Sequence, residues 1–208
     1  MVTAFADESV VSPYDELMAY EYLYAQDGTS RGKMSRTLAE NGTLPTRAMA
    51  AIDGLMPDES RYVEVRDYVD SRIGGFSVLV EGTPQFPRSL RAQKDPLPIF
   101  YYRGDLSLVE SRCVSVVATR HPSERGALAA RRIARALANR GITVVAGLAA
   151  GIDTEAMTEA MSSGGSVIGV IGTPIDKYYP KKNRALQDEV AARHLLISPV
   201  PIYRYDHP

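Results

Sequence analysis

The sequence predicts an α/β protein in which a parallel sheet with flanking helices follows a small helical N-terminal domain. Strand-like and helix-like segments alternate from residue 113 onward, which is typical of parallel strands joined by helices. Helical patterns rich in polar residues fill much of the chain before residue 75. Glycines stand where a strand should pass into a helix, as in AGLAAGIDTEA at 146–156. We therefore divide the chain into domains at 1–74 and 75–208.

Three segments of the first domain have helical patterns. In SPYDELMAYEYLYA, Ser12 can cap a helix whose Leu17, Tyr20 and Tyr24 fall at helical spacing. MSRTLAEN, which ends at Gly42, and TRAMAAIDGL are the other two segments. We interpret Tyr20 and Tyr24, one turn apart, as core or groove-facing side chains rather than base-stacking ones. Together these segments predict a small domain of the SAM or helix-hairpin kind.

The second domain opens with two strand-like segments, GGFSVLVEG and IFYYRG. The connector between them is punctuated by prolines, namely Pro84, Pro87, Pro96 and Pro98. The later predicted strands are CVSVVA, ITVVAG, SVIGVIG and LLIS, and the predicted helices between them are SERGALAARRIARALANRG, DTEAMTEAMSSGG and KNRALQDEVAARH. This alternation predicts parallel pairing, with helices on both faces of the sheet.

Ligands of such sheets bind outside the carboxyl ends of the strands, near the point where strand order reverses. This rule selects three loops, ATRHPS, AGLAAG and GTPIDKYYPKKN, that could line one crevice. Gly147 and Gly151 tolerate positive φ, so a phosphate could approach the backbone N–H groups at the helix N-terminus. A tight connection that holds no ligand would explain the same two glycines.

Arg120 is the strongest single candidate for a ligand contact. It follows a strand, and a guanidinium can bind a phosphate through two hydrogen bonds. A cluster of basic and aromatic side chains in the third loop could attract and stack on a single nucleic-acid strand: Lys177, Tyr178, Tyr179, Lys181, Lys182 and Arg184. A solvated helix start, with the tyrosines packed on the sheet, is the alternative. We predict that Arg131, Arg132 and Arg135 form a solvated helix face.

The remaining polar residues do not form a catalytic pattern. Asp153 sits early in a predicted helix, where capping is the favoured role and a general base is the alternative. We expect Glu155 and Glu159, one turn apart, to be solvated. The three histidines lack metal-ligand spacing, and no nucleophile elbow or P-loop is present. We therefore expect no enzyme activity, no metal and no cofactor.

Composition excludes several classes of protein. The 208 residues carry 24 Lys and Arg against 25 Asp and Glu, so no overall basic field favours nucleic acid. Cys113 is the single cysteine of the sequence, so no disulfide can form within the chain. It is the first residue of a strand that we expect to be buried. The N-terminus lacks a signal-peptide pattern, and no apolar run is long enough for a membrane span. We predict a cytoplasmic protein without a membrane partner.

Several ordered motifs resemble the DNA processing protein A family, DprA/Smf. They are DPLPIFYYRGDLSLVESRCVSVVATRHPSERG, GLAAGID and VIGVIGTPIDKYYPKKNRALQ. The resemblance implies a Rossmann-like domain that binds single-stranded DNA and helps to load a RecA-type recombinase. Arg120 matches the arginine of the family's G-S/T-R turn, and the G-L-x-x-G-I-D turn contains Gly147, Gly151 and Asp153. The G-T-x-x-D-x-x-Y-P-x-x-N segment supplies Gly172, Thr173, Asp176, Tyr179, Pro180 and Asn183, and Lys181 stands where many members are basic.

The chain also departs from the family pattern. Ala118 and Pro174 replace usual glycines, Ala150 replaces a common arginine, and Met157 replaces a frequent histidine. The chain stops after about four alternating strands, so we expect an incomplete domain, either a fragment or a divergent relative. The family's dimer contacts lie in the later part, which leaves a homodimer possible but not implied.

The resulting hypothesis is a non-enzymatic DprA-like protein that binds single-stranded DNA in uptake and recombination. The predicted contacts to DNA are Arg120, Gly147, Gly151, Gly172, Thr173, Lys177, Tyr179, Lys181, Lys182, Asn183 and Arg184. One alternative is a nucleotide sensor or a phosphoribohydrolase-like protein, although the P-G-G-x-G-T-x-x-E motif of those enzymes is absent. Another is a protein-interaction module that has lost its ligand.

Overall fold

The computed structural model describes residues 11–53, 58–91 and 97–207. Pro96 of the predicted connector and the last two residues of TRAMAAIDGL lie outside these ranges. The α-helices are α1 (Pro13–Ala25), α2 (Arg31–Asn41), α3 (Pro45–Asp53), α4 (Glu59–Asp70), α5 (Arg88–Arg91), α6 (Glu124–Ala138), α7 (Ile152–Ser162), α8 (Arg184–Arg193) and α9 (Ile202–Asp206). The strands are β1 (Ser77–Val80), β2 (Ile99–Gly104), β3 (Cys113–Ser115), β4 (Thr143–Ala146), β5 (Val167–Val170) and β6 (Leu195–Ser198), and 3-10 turns occupy Leu106–Glu110 and Lys181–Asn183.

The first helix begins where its capping residue predicts. The Ser12 side chain accepts a hydrogen bond from the Asp15 backbone N–H at 3.3 Å, which satisfies a free donor of α1. The buried Glu16 of α1 accepts hydrogen bonds from the backbone N–H and the hydroxyl of Thr46, in the first turn of α3. A carboxylate at a helix N-terminus is stabilising, so α1 also fixes the start of α3. The sequence patterns above do not include α4.

The strands form one six-stranded sheet in the order β1-β2-β6-β5-β4-β3. β3, β4, β5 and β6 pair in parallel, which confirms the α/β fold with a parallel sheet. β2 joins β6 in antiparallel fashion, and β1 joins β2 likewise. The chain therefore adds an antiparallel hairpin-like edge to four parallel strands.

The crossover helices cover one face of the sheet rather than both. Val144 pairs with Val167, and Gly169 pairs with Leu196, so these residues share one face. That face packs in one core with residues of α1, α4, α6, α7, α8 and α9. The parallel strands lie in sequential order, so right-handed crossovers place every connecting helix on the same side. No reversal of strand order lies among these four strands.

The opposite face is partly open. Leu79, Phe86 and Phe100 form a smaller core at the β1 and β2 end. At the other end, Val117 is 73% exposed and Val170 is 41% exposed. Cys113 is exposed on the edge strand β3, so the expectation of a buried strand there is wrong. Cys113 and Ser115 lie on the uncovered face, and the edge position leaves Val114 on the other face exposed as well.

The large core crosses the predicted boundary at 74/75. Leu17 and Val65 pack in the same cluster as Val80 and Val144. Glu21 of α1 is buried and accepts hydrogen bonds from the Tyr101 hydroxyl and from the backbone N–H groups of Ile202 and Tyr203. α1 therefore holds β2 and α9 together, while the division into domains at 1–74 and 75–208 stays a prediction.

Candidate functional site

A crevice of about 420 Å³ lies at the carboxyl ends of the parallel strands. The loops after β3, β4 and β5 all contribute to its walls, as the three selected loop segments predict. Helix α9 adds a fourth wall. The lining residues are Arg120, Gly147, Ala149, Ala150, Ile171, Gly172, Thr173, Tyr179, Pro180 and Tyr205. Because β3, β4 and β5 are neighbours in the sheet, their loops meet without a reversal of strand order.

A backbone N–H group in the turn after β4 is hydrogen-bonded within the protein and is not free to bind a ligand. The Gly147 N–H donates to Asp153 Oδ2 at 2.8 Å, and Asp153 is buried. Asp153 thus caps the turn instead of the first N–H groups of α7, whose N-terminus at Gly151 has no side-chain cap. The Gly147 N–H is therefore not available for the predicted phosphate contact.

Only a glycine at position 151 leaves room for the backbone of the loop after β3. Its φ of +83° is unfavourable for other residues, and an added Cβ would lie 2.6 Å from the carbonyl oxygen of Thr119. The Ile152 N–H donates to the same Thr119 oxygen at 3.2 Å. The space that we predict to hold a phosphate is thus filled by the backbone of the loop that carries Arg120.

Asn183 also supports this turn. Its side chain is buried, and its amide donates to the Leu148 carbonyl and to the Thr154 hydroxyl, both at 2.8 Å. Leu148 has a positive φ of 57°, which only local support can maintain in a non-glycine residue. Asn183 therefore positions the turn, and its amide donors are not free for DNA.

The groups that are free to meet a ligand lie on the other walls. Arg120 is exposed, and its side chain has no hydrogen-bond or ion-pair partner in the described residues. A Cβ added at Gly172 would meet no atom within 4 Å, so the crevice is open above that residue. Within the described ranges, the buried Thr173 Oγ1 has no hydrogen-bond partner. A buried hydroxyl without a partner is rare in folded proteins, and it can hydrogen-bond to a ligand here.

The aromatic walls are Tyr179 and Tyr205. Tyr179 is 56% exposed and Tyr205 is 50% exposed, so both rings present surface to the crevice. The Tyr179–Pro180 peptide bond is cis. The sequence patterns do not identify Tyr205, because only the packing of α9 against α1 and α4 brings it to the crevice.

The basic cluster is divided between paired and unpaired side chains. Lys177 donates to Asp206 at 2.7 Å, and Arg184 pairs with Asp188 at 3.8 Å while its guanidinium lies over the Tyr178 ring. Lys181 and Lys182 are exposed and form no ion pair with any described residue. Lys177 and Arg184 thus have structural partners, whereas Lys181 and Lys182 are free to meet a ligand beside the crevice.

Arg131 and Arg135 of α6 form ion pairs, whereas Arg132 is exposed, as predicted, and forms no ion pair with any described residue. Arg131 contacts Glu155 of α7 at 2.6 Å, and Arg135 contacts Glu159 at 2.7 Å. The hydrogen bond from Arg135 lowers the pKa of the Glu159 carboxyl. These ion pairs correct the prediction that Glu155 and Glu159 are simply solvated. They join α6 to α7, away from the crevice.

Two further features bear on the class of site. In the part of the chain that the structure describes, no group of three or more His, Cys, Asp and Glu residues could hold a metal ion. None of the helices described there is long and apolar enough to span a membrane.

Known proteins share both the sequence and the fold. A family model for DNA recombination-mediator protein A matches residues 77–207, more than half of the chain. Protein Smf of Synechocystis is 39% identical over 128 residues, which cover 60% of this chain and 32% of that protein. DNA processing protein DprA of Streptococcus pneumoniae is 39% identical over 113 residues, covering 54% of this chain and 40% of that protein. The chain thus spans about a third to two fifths of the length of these relatives.

Solved structures show the same relationship. The X-ray structure of DprA from Streptococcus pneumoniae matches 93% of this chain and 71% of its own, with a TM-score of 0.72 and 26% identity. DprA from Helicobacter pylori, described for its single-stranded DNA binding mode, matches 62% of this chain and 57% of its own, with a TM-score of 0.54 and 27% identity. The resemblance found in the motifs is therefore confirmed. The chain belongs to the DNA recombination-mediator protein A family, also named DprA/Smf.

Proposed function

We propose that the crevice binds single-stranded DNA. The observation that carries this proposal is that three neighbouring loops bring an unpaired arginine, an open glycine surface and an exposed tyrosine into one crevice. The single-stranded DNA binding mode described for the Helicobacter pylori relative supports the same ligand class. The crevice does not need a catalytic group for this function.

Each free group has a defined role in the proposed complex. The Arg120 guanidinium contacts a backbone phosphate, and Lys181 and Lys182 add positive charge beside the path of the strand. Tyr179 and Tyr205 provide faces on which bases stack. The Thr173 hydroxyl forms a hydrogen bond with the sugar or a base edge. Gly172 leaves room for the strand to approach the backbone closely.

Fluorescence anisotropy with labelled oligothymidylate tests the proposal. We expect binding that strengthens with strand length, exceeds binding to a duplex of the same length, and weakens as salt concentration rises. A panel of mononucleotides added as competitors distinguishes the nucleotide-sensor alternative. Displacement of the strand at micromolar mononucleotide, or equal affinity for duplex and single strand, would contradict the proposal.

The wider role that we propose is in DNA uptake and recombination, where the bound strand is passed to a RecA-type recombinase. This step rests on family membership and on the proposed DNA binding. Co-purification of the recombinase with the immobilised protein tests it. We expect capture that increases when oligothymidylate is added. Capture that is absent with and without DNA would contradict the recombinase step while leaving DNA binding intact.

A further inference from the structure

A second cavity, larger than the crevice, lies between the N-terminal helices and the segment that follows β6. Its volume is about 680 Å³, within the range of about 300–1,000 Å³ that ligand pockets occupy. Its walls come from α1, from α2 and the two residues before it, from Leu97 and Pro98, and from the segment 199–205. We call it the helix-side cavity. Tyr205 lines both this cavity and the crevice, so the two spaces adjoin at one half-exposed ring.

The inner wall of the helix-side cavity is aromatic and fixed. The Tyr20 and Tyr24 ring centroids lie 4.8 Å apart, and the Tyr20 hydroxyl donates to the Pro199 carbonyl at 2.9 Å. Leu38 and Pro199 add apolar surface to the same wall. Tyr20 and Leu38 are almost completely buried behind this wall, so the half-buried Tyr24 ring and the half-exposed Tyr205 ring provide the aromatic surface on which a planar ring can stack. The wall therefore fits a planar group better than a flexible chain.

The mouth of the helix-side cavity is cationic. Arg31, in the first turn of α2, and Arg204, in α9, both line the cavity. Neither side chain forms an ion pair in the ranges that the structure describes. The nearby charge of an unpaired guanidinium favours an anionic group at the mouth, and phosphate suits its planar donors. Aromatic inner walls with arginines at the mouth fit a base inside and phosphates outside.

We propose that the helix-side cavity receives one base of the same single strand whose neighbouring nucleotides occupy the crevice. This inference rests on the proposed function of the crevice. The strand passes over Tyr205, and Arg204 and Arg31 contact the phosphates that flank the inserted base. Only an unpaired base can enter, because a base within a duplex is held in its stack. The helix-side cavity thus contributes to selection of single strands.

Three glycine variants distinguish binding in the helix-side cavity from binding in the crevice. A Cβ added at Gly32, Gly172 or Gly74 would meet no atom within 4 Å, and none of these glycines has a positive φ. Gly32→Leu places a side chain at the mouth of the helix-side cavity, and Gly172→Leu places one in the crevice. Gly74→Leu lies outside both spaces and is the matched control. Arg31→Ala is a second variant of the helix-side cavity, since this exposed residue has no ion pair to lose among the described residues.

The first readout is affinity as a function of strand length, with oligothymidylates of about 3 to about 12 nucleotides. For strands long enough to reach both spaces, we expect Gly32→Leu to weaken binding by about 5- to 150-fold, the equivalent of one lost stacking contact. Arg31→Ala should weaken the same strands. For the shortest strands that still bind, Gly32→Leu should bind as Gly74→Leu does.

The second readout is the fluorescence of 2-aminopurine, placed at each position of the strand in turn. The protein contains no tryptophan, so its own emission does not interfere. We expect strong quenching at one position in the wild-type complex and its loss in Gly32→Leu. If Gly172→Leu weakens binding while Gly32→Leu and Arg31→Ala change neither affinity nor quenching, the helix-side cavity does not receive a base. If no strand binds the wild-type protein, the proposed function itself is wrong.

Discussion

Gly151 and Gly172 border the same crevice but serve different purposes. Gly151 has a φ of +83°, and a Cβ there would lie 2.6 Å from the Thr119 carbonyl oxygen. Gly172 has neither a positive φ nor a neighbour within 4 Å of an added Cβ. The first glycine allows two loops to pack together, and the second keeps the crevice open. Glycine-rich motifs in a sequence do not distinguish these two purposes.

The contrast predicts different effects on stability. Gly151→Ala should lower the free energy of unfolding by about 1–3 kcal/mol, because it combines backbone strain with a clash against backbone atoms. Gly172→Ala should leave the free energy of unfolding within about 0.5 kcal/mol of the wild-type value. Urea denaturation followed by circular dichroism measures both. Equal stability of the two variants would contradict the assignment of Gly151 to loop packing.

Arg120→Ala should weaken oligonucleotide binding without loss of stability. If Arg120 neutralises one phosphate, the slope of log affinity against log salt concentration should become shallower by about 0.7. Arg132→Ala is the matched control, since Arg132 is an exposed residue of α6 without an ion pair among the described residues. If the slope changes equally in Arg120→Ala and Arg132→Ala, Arg120 does not contact a phosphate in the crevice.

The sequence predicts which residues line the crevice better than it predicts the hydrogen bonds that those residues form. The three loops and Arg120 come together as their positions after predicted strands indicate. The hydrogen bonds from Gly147 to Asp153 and from Asn183 to Leu148 depend on loop conformation, which residue spacing does not specify. Sequence patterns therefore predict Gly147 and Asn183 as DNA contacts, although their donors support the turn.

α1 buries two glutamate side chains, Glu16 and Glu21. Glu16 caps α3, and Glu21 accepts hydrogen bonds from the α9 N-terminus and from Tyr101. Burial raises the pKa of Glu21 from 4.5 to about 7, although its hydrogen bonds act in the opposite direction. The folded protein therefore keeps a proton on Glu21 that the unfolded chain releases at lower pH.

This linkage predicts a pH-dependent stability. The contribution of Glu21 is fully present below about pH 4.5 and is lost as pH rises through about 7, because the folded state then carries a buried charge. Burial of His194 lowers its pKa and acts in the opposite direction over part of this range. The difference between wild type and Glu21→Gln therefore isolates Glu21, since His194 is common to both.

Thermal unfolding between about pH 5 and about pH 8 measures this difference. We expect the melting temperature of the wild type to fall, relative to that of Glu21→Gln, as pH rises. A constant difference across the range would contradict a raised pKa for Glu21.

Periodicity identifies most elements but misses α4, α9 and the short helix α5. The α4 segment contains β-branched and aromatic residues with low helix propensity, and only Val65 and Val69, one turn apart, are buried. α9 spans five residues and depends on Glu21 for its N-terminal hydrogen bonds. Because these bonds come from a distant helix, no local pattern could place Arg204 and Tyr205 of α9 at a cavity.

In the molecule as a whole, one core joins the N-terminal helices to the sheet. Leu17 and Met18 of α1 pack in the same cluster as Val80 of β1 and Leu196 of β6. Parts of a chain that share a core unfold together, whereas domains with separate cores can unfold in separate steps. Differential scanning calorimetry should therefore show one cooperative transition. Two resolved transitions would favour independent domains at 1–74 and 75–208.

The sequence predicts parallel strands but not the face that the crossover helices cover. Both faces are expected to be covered when strand order reverses, and here β3 to β6 lie in sequential order. Val117 and Val170 are consequently exposed on the face without crossover helices. Strand order depends on contacts between distant segments, which local periodicity does not contain.

We place the single strand in the crevice between the loops after β3, β4 and β5. The most direct test is to fill this crevice with a side chain. The affinity of Gly172→Leu for labelled oligothymidylate is compared with that of Gly74→Leu. The melting temperatures of both variants are measured to establish that both are folded. We predict that Gly172→Leu binds about 5- to 150-fold more weakly, because its side chain fills the open space that the strand needs. Gly74→Leu should bind as the wild type does. A folded Gly172→Leu protein that binds the strand with wild-type affinity would contradict DNA binding in the crevice.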